Sequence, residues 1–270
     1  MGSPLRIGVV GVGKISEQYF AEFPKLPGLK LVAVADLDAS RAVAVAAEQG
    51  VPALTVDELI ASPDVDAVLN LTIPAAHAEV ALRALAAGKH VYGEKPLALN
   101  PDEATPVLRL AVDCGLRVGS APDTVLGTGV QTARALLDDG RIGTPVAASA
   151  FWTAPGHELW HPAPQLYYSE GGGPLFDMGP YYLSALVTLL GPVVRVSGSV
   201  GRSGRERTGA HGGDRAARGN EPQGRDRHTR FRFAGACIGR HLDGHDELRC
   251  VGGPVAAHRD LRHSRNDRGA

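Results

Sequence analysis

Through the first 120 residues, short apolar runs alternate with longer segments of helical period. The runs are residues 5–10, 31–35, 65–72, 90–92 and 116–119. Each has strand length, and each stops at a turn residue or a charge. Between them lie helical segments: one opening near Lys14, an alanine-rich one closing at Gly50, one from Pro74 to Gly88, and one over residues 101–114. In the segment from Pro74 the apolar face runs through Val80, Leu82 and Leu85. Strands alternating with helices at this spacing predict an α/β fold with a doubly wound parallel sheet.

The pattern changes after Asp123. Residues 131–139 read as a helix, and residues 145–152 as a strand of a second domain. A loop rich in Pro, Gly and His follows, carrying His157, Trp160 and His161. Gly171-Gly172-Gly173-Pro174 then opens an apolar helix over residues 175–190, and residues 193–200 alternate like a strand. From about Gly201 the periodicity stops, and Arg and Gly dominate. The boundaries this predicts are a first domain over 1–122, the start of a second over 123–200, and a tail over 201–270.

Charge sharpens the last boundary. Residues 1–200 carry 13 Lys+Arg against 20 Asp+Glu, a net −7, whereas residues 201–270 carry 15 against 9, a net +6. All five lysines precede residue 200, and six of the ten histidines follow it. The chain has no apolar run of the ~20 residues needed to span a bilayer, and no leader pattern opens it, so a cytoplasmic protein without a membrane partner is expected. Three scattered cysteines, Cys114, Cys237 and Cys250, do not form a disulfide framework.

The glycine loop Gly11-Val12-Gly13-Lys14-Ile15-Ser16 joins the first strand to a helix. In that context Gly11 permits a tight turn, and Gly13 lets backbone N–H groups approach a pyrophosphate. Ser16 stands where a third glycine is common. Asp36, twenty-three residues beyond Gly13, ends the next strand. A carboxylate there accepts hydrogen bonds from ribose hydroxyls and repels a 2′-phosphate, which favours NAD; NADP is the alternative, since Arg41 could be recruited to a phosphate. Thr72-Ile73-Pro74 closes the following strand and would line the same crevice, with His77 on the first helical turn beyond it. Glu94-Lys95-Pro96 ends the run at 90–92. A lysine at a strand's carboxyl end can hydrogen-bond a reacting hydroxyl or carbonyl and stabilise charge on its oxygen. The neighbouring Glu94 can orient the site.

With these motifs in hand, residues 5–200 resemble the Gfo/Idh/MocA family of NAD(P)-dependent oxidoreductases. The residues that carry the resemblance are Gly11 to Ile15, Asp36, Thr72-Ile73-Pro74 with His77, Gly93-Glu94-Lys95-Pro96, and the segment from Gly171 to Tyr181. The resemblance implies a Rossmann domain followed by an α+β domain, incomplete in this chain. It implies a hydride exchanged between a nicotinamide and a secondary alcohol or ketone of a sugar, polyol or inositol-like small molecule. Lys95 matches the family's catalytic lysine, and Asp177 the aspartate of its catalytic helix. Four residues on, where the family commonly has a histidine, this chain has Tyr181. Asp177 and Tyr181 share a helix face, and a Lys95 ammonium nearby is expected to lower the Tyr181 phenol toward a useful base. Tyr182 or His161 are the alternatives for proton transfer. Gly11, Gly13, Lys14, Ile15, Asp36, Thr72, Pro74, His77 and Glu94 are the expected cofactor-binding residues. The family often has Asn at the Ala75 position, so one polar contact is missing.

Family members are longer and finish the second domain as a large open antiparallel sheet that often mediates oligomerisation. Residues 201–270 lack the alternating β-branched and aromatic residues of such a sheet. Family-type oligomerisation is therefore not expected of this chain, and a catalytically impaired relative that only binds dinucleotide is the alternative reading. Nine acidic residues interrupt the basic tail, against a nucleic-acid partner. Cys237, His241, His245 and Cys250 have ligand-like spacing, but histidine is abundant throughout the tail and no metal is expected. An out-of-frame translation of a GC-rich gene accounts for the tail's composition and predicts poor order. Translating the other two frames beyond codon 200 is expected to restore alternating strand sequence in one of them; strand-free sequence in both would exclude a frame shift.

Overall fold

The computed structural model describes residues 2–152, 156–157, 164–168, 171–202, 229–232 and 236–237. Six parallel strands form the main sheet: β1 (Leu5–Val10), β2 (Leu29–Ala35), β3 (Ala53–Leu54), β4 (Ala67–Asn70), β5 (His90–Gly93) and β6 (Val118–Ser120). They lie in the order β3-β2-β1-β4-β5-β6, which makes the expected parallel, doubly wound sheet. The two-residue β3 and the short helix α3 (Val56–Ala61) that follows it add to the expected elements; α3 carries Val56, Leu59 and Ile60 at helical spacing, with Leu59 and Ile60 buried.

Helices α1 (Ser16–Glu22) and α2 (Ala39–Gln49) cover one face of the sheet; α3, α4 (His77–Ala86) and α5 (Pro101–Asp113) cover the other. Because alternate side chains of a strand point to opposite faces, each buried strand contributes to both cores. Ile7, Val9, Val34, Ala67 and Leu69 join Phe20 and Ala46 on the first face. Val10, Ala33, Ala35 and Val68 join Leu59, Leu85 and Val107 on the second. Gly8 faces the second layer, where an added Cβ would lie 2.7 Å from Leu59 Cδ2. The helix ends carry the capping chemistry expected of them. Asp38 accepts from the N–H groups of Ser40 and Arg41, and Thr55 and Glu58 form a capping box. Gly50 closes α2 at φ +67°.

β1 pairs with β2 on one side and β4 on the other. The strand order therefore reverses between β1 and β4, and a crevice opens beyond their carboxyl ends, where doubly wound sheets bind ligands. Gly11, Asp36, Thr72 and Glu94 each lie one or two residues past a strand end at this edge.

Beyond the sheet come α6 (Thr128–Asp138) and α7 (Gly173–Leu190), whose starts lie two or three residues earlier than the apolar pattern marks. The strand expected over 145–152 does not form. Val146 is 74% and Phe151 81% exposed, and residues of strand propensity do not make a strand without a hydrogen-bonding neighbour. The alternating segment at 193–200 divides into β7 (Arg195–Val196) and β8 (Ser199–Arg202), which pair antiparallel with β10 (Ala236–Cys237) and β9 (Thr229–Arg232). Most of the tail, with three residues of the Cys/His quartet, lies outside the described residues, as do Trp160 and His161.

Leu85 has no exposed surface and packs between α4 and the sheet. Leu85→Ala should lower the unfolding free energy by about 2–5 kcal/mol, read as a reduced midpoint in urea denaturation. Val43→Ala, on the exposed side of α2, should change it by less than about 0.5 kcal/mol.

Candidate active site

The glycine loop is built by close approach. Gly11 has φ +91°, and a Cβ there would lie 2.7 Å from the carbonyl carbon and oxygen of Leu71. The turn therefore requires glycine in conformation and in space. At Gly13 a Cβ would meet nothing within 4 Å, so its face is open toward the crevice. Ser16 Oγ donates to the Gly13 carbonyl at 2.7 Å, holding the loop against the start of α1. Ile15 packs against the first core. Lys14 is exposed and pairs with Glu17.

Asp36 ties this loop to β2. Its Oδ2 accepts the Val12 N–H at 2.9 Å and its Oδ1 the Asp38 N–H at 2.9 Å. Arg41 Nη1 lies 3.4 Å from the same carboxylate. A turn only glycine can make, an open glycine face and a carboxylate at the end of β2 fit a dinucleotide.

The far wall of the crevice is a network around Asn70, which the sequence does not mark. Asn70 Oδ1 accepts from Thr72 Oγ1 at 2.6 Å, and its main-chain oxygen accepts the Glu94 N–H at 3.0 Å. Pro74 begins a short 3-10 turn that leads into α4. His77, the first residue of α4, is 3% exposed. Its Nδ1 lies 2.6 Å from the Pro96 carbonyl oxygen and its Nε2 3.0 Å from that of Thr72.

Glu94 and Lys95 follow β5. Glu94 Oε1 accepts the Tyr19 hydroxyl at 2.8 Å, and Oε2 accepts the Lys95 N–H at 3.2 Å. Tyr19 belongs to α1, so this contact joins the glycine-loop helix to the lysine strand. Burial, and then the Glu94 carboxylate, push the Tyr19 phenol far above its ordinary range. No motif marks Tyr19; its helical position three residues beyond Ser16 is the only signal.

Lys95 reaches across to α7. Its Nζ donates to Asp177 Oδ1 at 2.7 Å and to the Asp177 carbonyl at 2.6 Å, with both side chains about 85% buried. The opposite carboxylate oxygen, Oδ2, lies 3.0 Å from His157 Nε2. His157 stacks on Tyr167 with ring centroids 3.6 Å apart. One carboxylate thus bridges an ammonium and an imidazole. In the sequence His157 belongs to the Pro-, Gly- and His-rich loop with His161; only the fold brings it to Asp177.

Tyr181 lies on the same face of α7, its ring centroid 5.2 Å from Lys95 Nζ. The expected downward shift of its phenol does not occur. Burial raises it, and so do the carboxylates of Glu94, Asp177 and Asp123. Lys95 does not reverse this, because its charge is spent on Asp177 and it faces the Tyr181 ring. Gly171, at φ +80°, brings the second-domain turn against Leu99 and Pro74. Among the described residues no cluster of three or more His, Cys, Asp or Glu is arranged to hold a metal, and no helix is long and apolar enough to cross a membrane.

Two family profiles match this chain. The profile described as "Oxidoreductase family, NAD-binding Rossmann fold" covers residues 5–121, and the Gfo/Idh/MocA C-terminal domain covers residues 130–229. The chain belongs to the Gfo/Idh/MocA oxidoreductase family. A dTDP-3,4-didehydro-2,6-dideoxy-alpha-D-glucose 3-reductase of Streptomyces violaceoruber is 36% identical over 200 residues, 73% of this chain and 57% of that protein. An inositol 2-dehydrogenase of Agrobacterium fabrum is 37% identical over 54% of this chain and 45% of that protein. Among solved structures, a 3-ketoreductase from Actinomadura kijaniata in complex with TDP-benzene and NADP superposes with a TM-score of 0.61 at 28% identity, covering 74% of this chain and 58% of that one. The chain spans about half the length of the curated relatives it matches.

Gly11→Ala should raise the dissociation constant for NADH, measured by fluorescence titration, by at least about tenfold, since it removes the required turn. An unchanged constant would mean that the loop does not hold the dinucleotide.

Proposed function

We propose that the protein is an NAD(H)-dependent dehydrogenase or reductase acting on a secondary alcohol or ketone of a sugar, polyol or inositol-like compound. The observation that carries this reading is the Lys95 ammonium, held at the carboxyl end of β5 by Asp177 from α7. The bound nicotinamide would accept a hydride from the alcohol carbon or return one to the ketone. Lys95 hydrogen-bonds the reacting oxygen and stabilises the negative charge that builds on it. Asp177 orients the ammonium and, with His157, takes up or returns the hydroxyl proton. Tyr181, its phenol raised by burial and by three carboxylates, stays protonated at neutral pH and serves as a hydrogen-bond donor rather than a base.

Asp36 favours NAD. Its carboxylate is fixed by two backbone N–H groups at the ribose end of the crevice and would repel a 2′-phosphate. Arg41 already leans on that carboxylate, which supports the same preference. One relative, matched over 200 residues, is named as reducing a nucleotide-linked keto sugar; keto sugars therefore belong in the substrate screen.

One observation favours a second reading, dinucleotide binding without turnover. Two oxygens of Asp177 already occupy the Lys95 ammonium, and a substrate oxygen must displace one of them or take the third N–H. A screen of sugars, polyols, inositols and keto sugars, run in both directions beside an NADH titration, separates the two. Lys95→Ala should lower kcat by at least about a hundredfold and leave the NADH dissociation constant within about threefold. Retained turnover would overturn the role of Lys95.

A further inference from the structure

We infer that His77 is a positioning residue for Lys95 and not a cofactor contact; this rests on the proposed function. The ring is 3% exposed, and both of its nitrogens face main-chain carbonyls, so it has no edge left to offer a ligand in the crevice. One carbonyl belongs to Pro96, the residue after Lys95; the other belongs to Thr72, in the loop that lines the crevice beside β4. A carbonyl only accepts, so a ring N–H donates to one of them, and a ring carrying both hydrogens donates to both. His77 is itself held from below, because its own main-chain oxygen accepts Asn70 Nδ2 at 3.0 Å. Asn70 in turn accepts the Glu94 N–H and the Thr72 hydroxyl.

With a ring hydrogen on Nδ1, donated to the Pro96 carbonyl, hydrogen bonds close a ring through β4, the start of α4 and the Glu94-Lys95-Pro96 corner. It sets the distance between the lysine-bearing backbone and the crevice wall. A displacement of about 1 Å in a reacting group can cost on the order of a hundredfold in rate. Loosening the ring should therefore appear in turnover and leave dinucleotide affinity unaffected.

The test uses the full chain. His77→Ala should lower kcat about 10- to 100-fold while the NADH dissociation constant stays within about threefold. His77→Gln places an amide with two N–H donors at the same point and should recover most of the loss. A raised dissociation constant with unchanged kcat would make His77 a cofactor residue and overturn the inference. An independent readout needs no turnover. Incorporating 13Cε-labelled lysine leaves the ammonium unmodified and gives one Cε signal for each of the five lysines, and Lys95→Ala identifies that of Lys95. His77→Ala and His77→Gln should both move this signal, alanine further, while the other four stay in place. If the wild type turns over no substrate, the proposed function fails, and the lysine spectra decide the positioning role. A Lys95 signal unmoved in both variants overturns it. If His77→Ala does not fold, as a thermal melt would report, His77→Gln decides by the same spectra.

Discussion

The Lys95–Asp177 ion pair is the contact on which the site depends, because it joins the end of β5 to α7. Burying an ammonium and a carboxylate costs several kcal/mol per ion unless the remaining donors and acceptors are satisfied. Here they largely are. The ammonium reaches two oxygens of one residue, and the second carboxylate oxygen meets His157. Such a pair contributes little to stability compared with an apolar contact of the same volume. Its effect is to fix one arrangement: Lys95 is aimed at α7, and α7 is held with Asp177 facing the crevice.

The same economy of charge explains Tyr181. Three carboxylates act on it, from Glu94, Asp177 and Asp123, and the nearby ammonium is committed to one of them. A lysine neighbour lowers a phenol only when its field is not cancelled by a closer anion. A phenol raised by burial and by these carboxylates keeps its proton at neutral pH, so Tyr181 offers a hydrogen-bond donor and no base. An imidazole is still present in the site, on His157, brought in by the loop before α7 and steadied by Tyr167.

The Rossmann half was readable because its determinants are local. Gly11 needs a positive φ, Asp36 ends a strand, and the alternation within β1, β2 and β4 follows from burial on both faces. The second half was less so. The strand expected at 145–152 had the right residues and no partner among the described residues, and the paired strands β7 to β10 join segments more than 25 residues apart. Pairing over such separations is decided by which segments meet, and alternation alone does not record that.

By itself, the sequence determined the doubly wound sheet, the crevice at its switch point and the residues along its edge, since these follow from periodicity and from backbone needs at single positions. Tertiary structure alone decided what those residues touch. It turned His77 from the crevice into the core, paired Glu94 with Tyr19, and brought His157 to Asp177. Each of these contacts joins residues 19 to 75 positions apart. Their geometry depends on how helices and loops pack across the sheet, a property of the whole fold that no local pattern encodes.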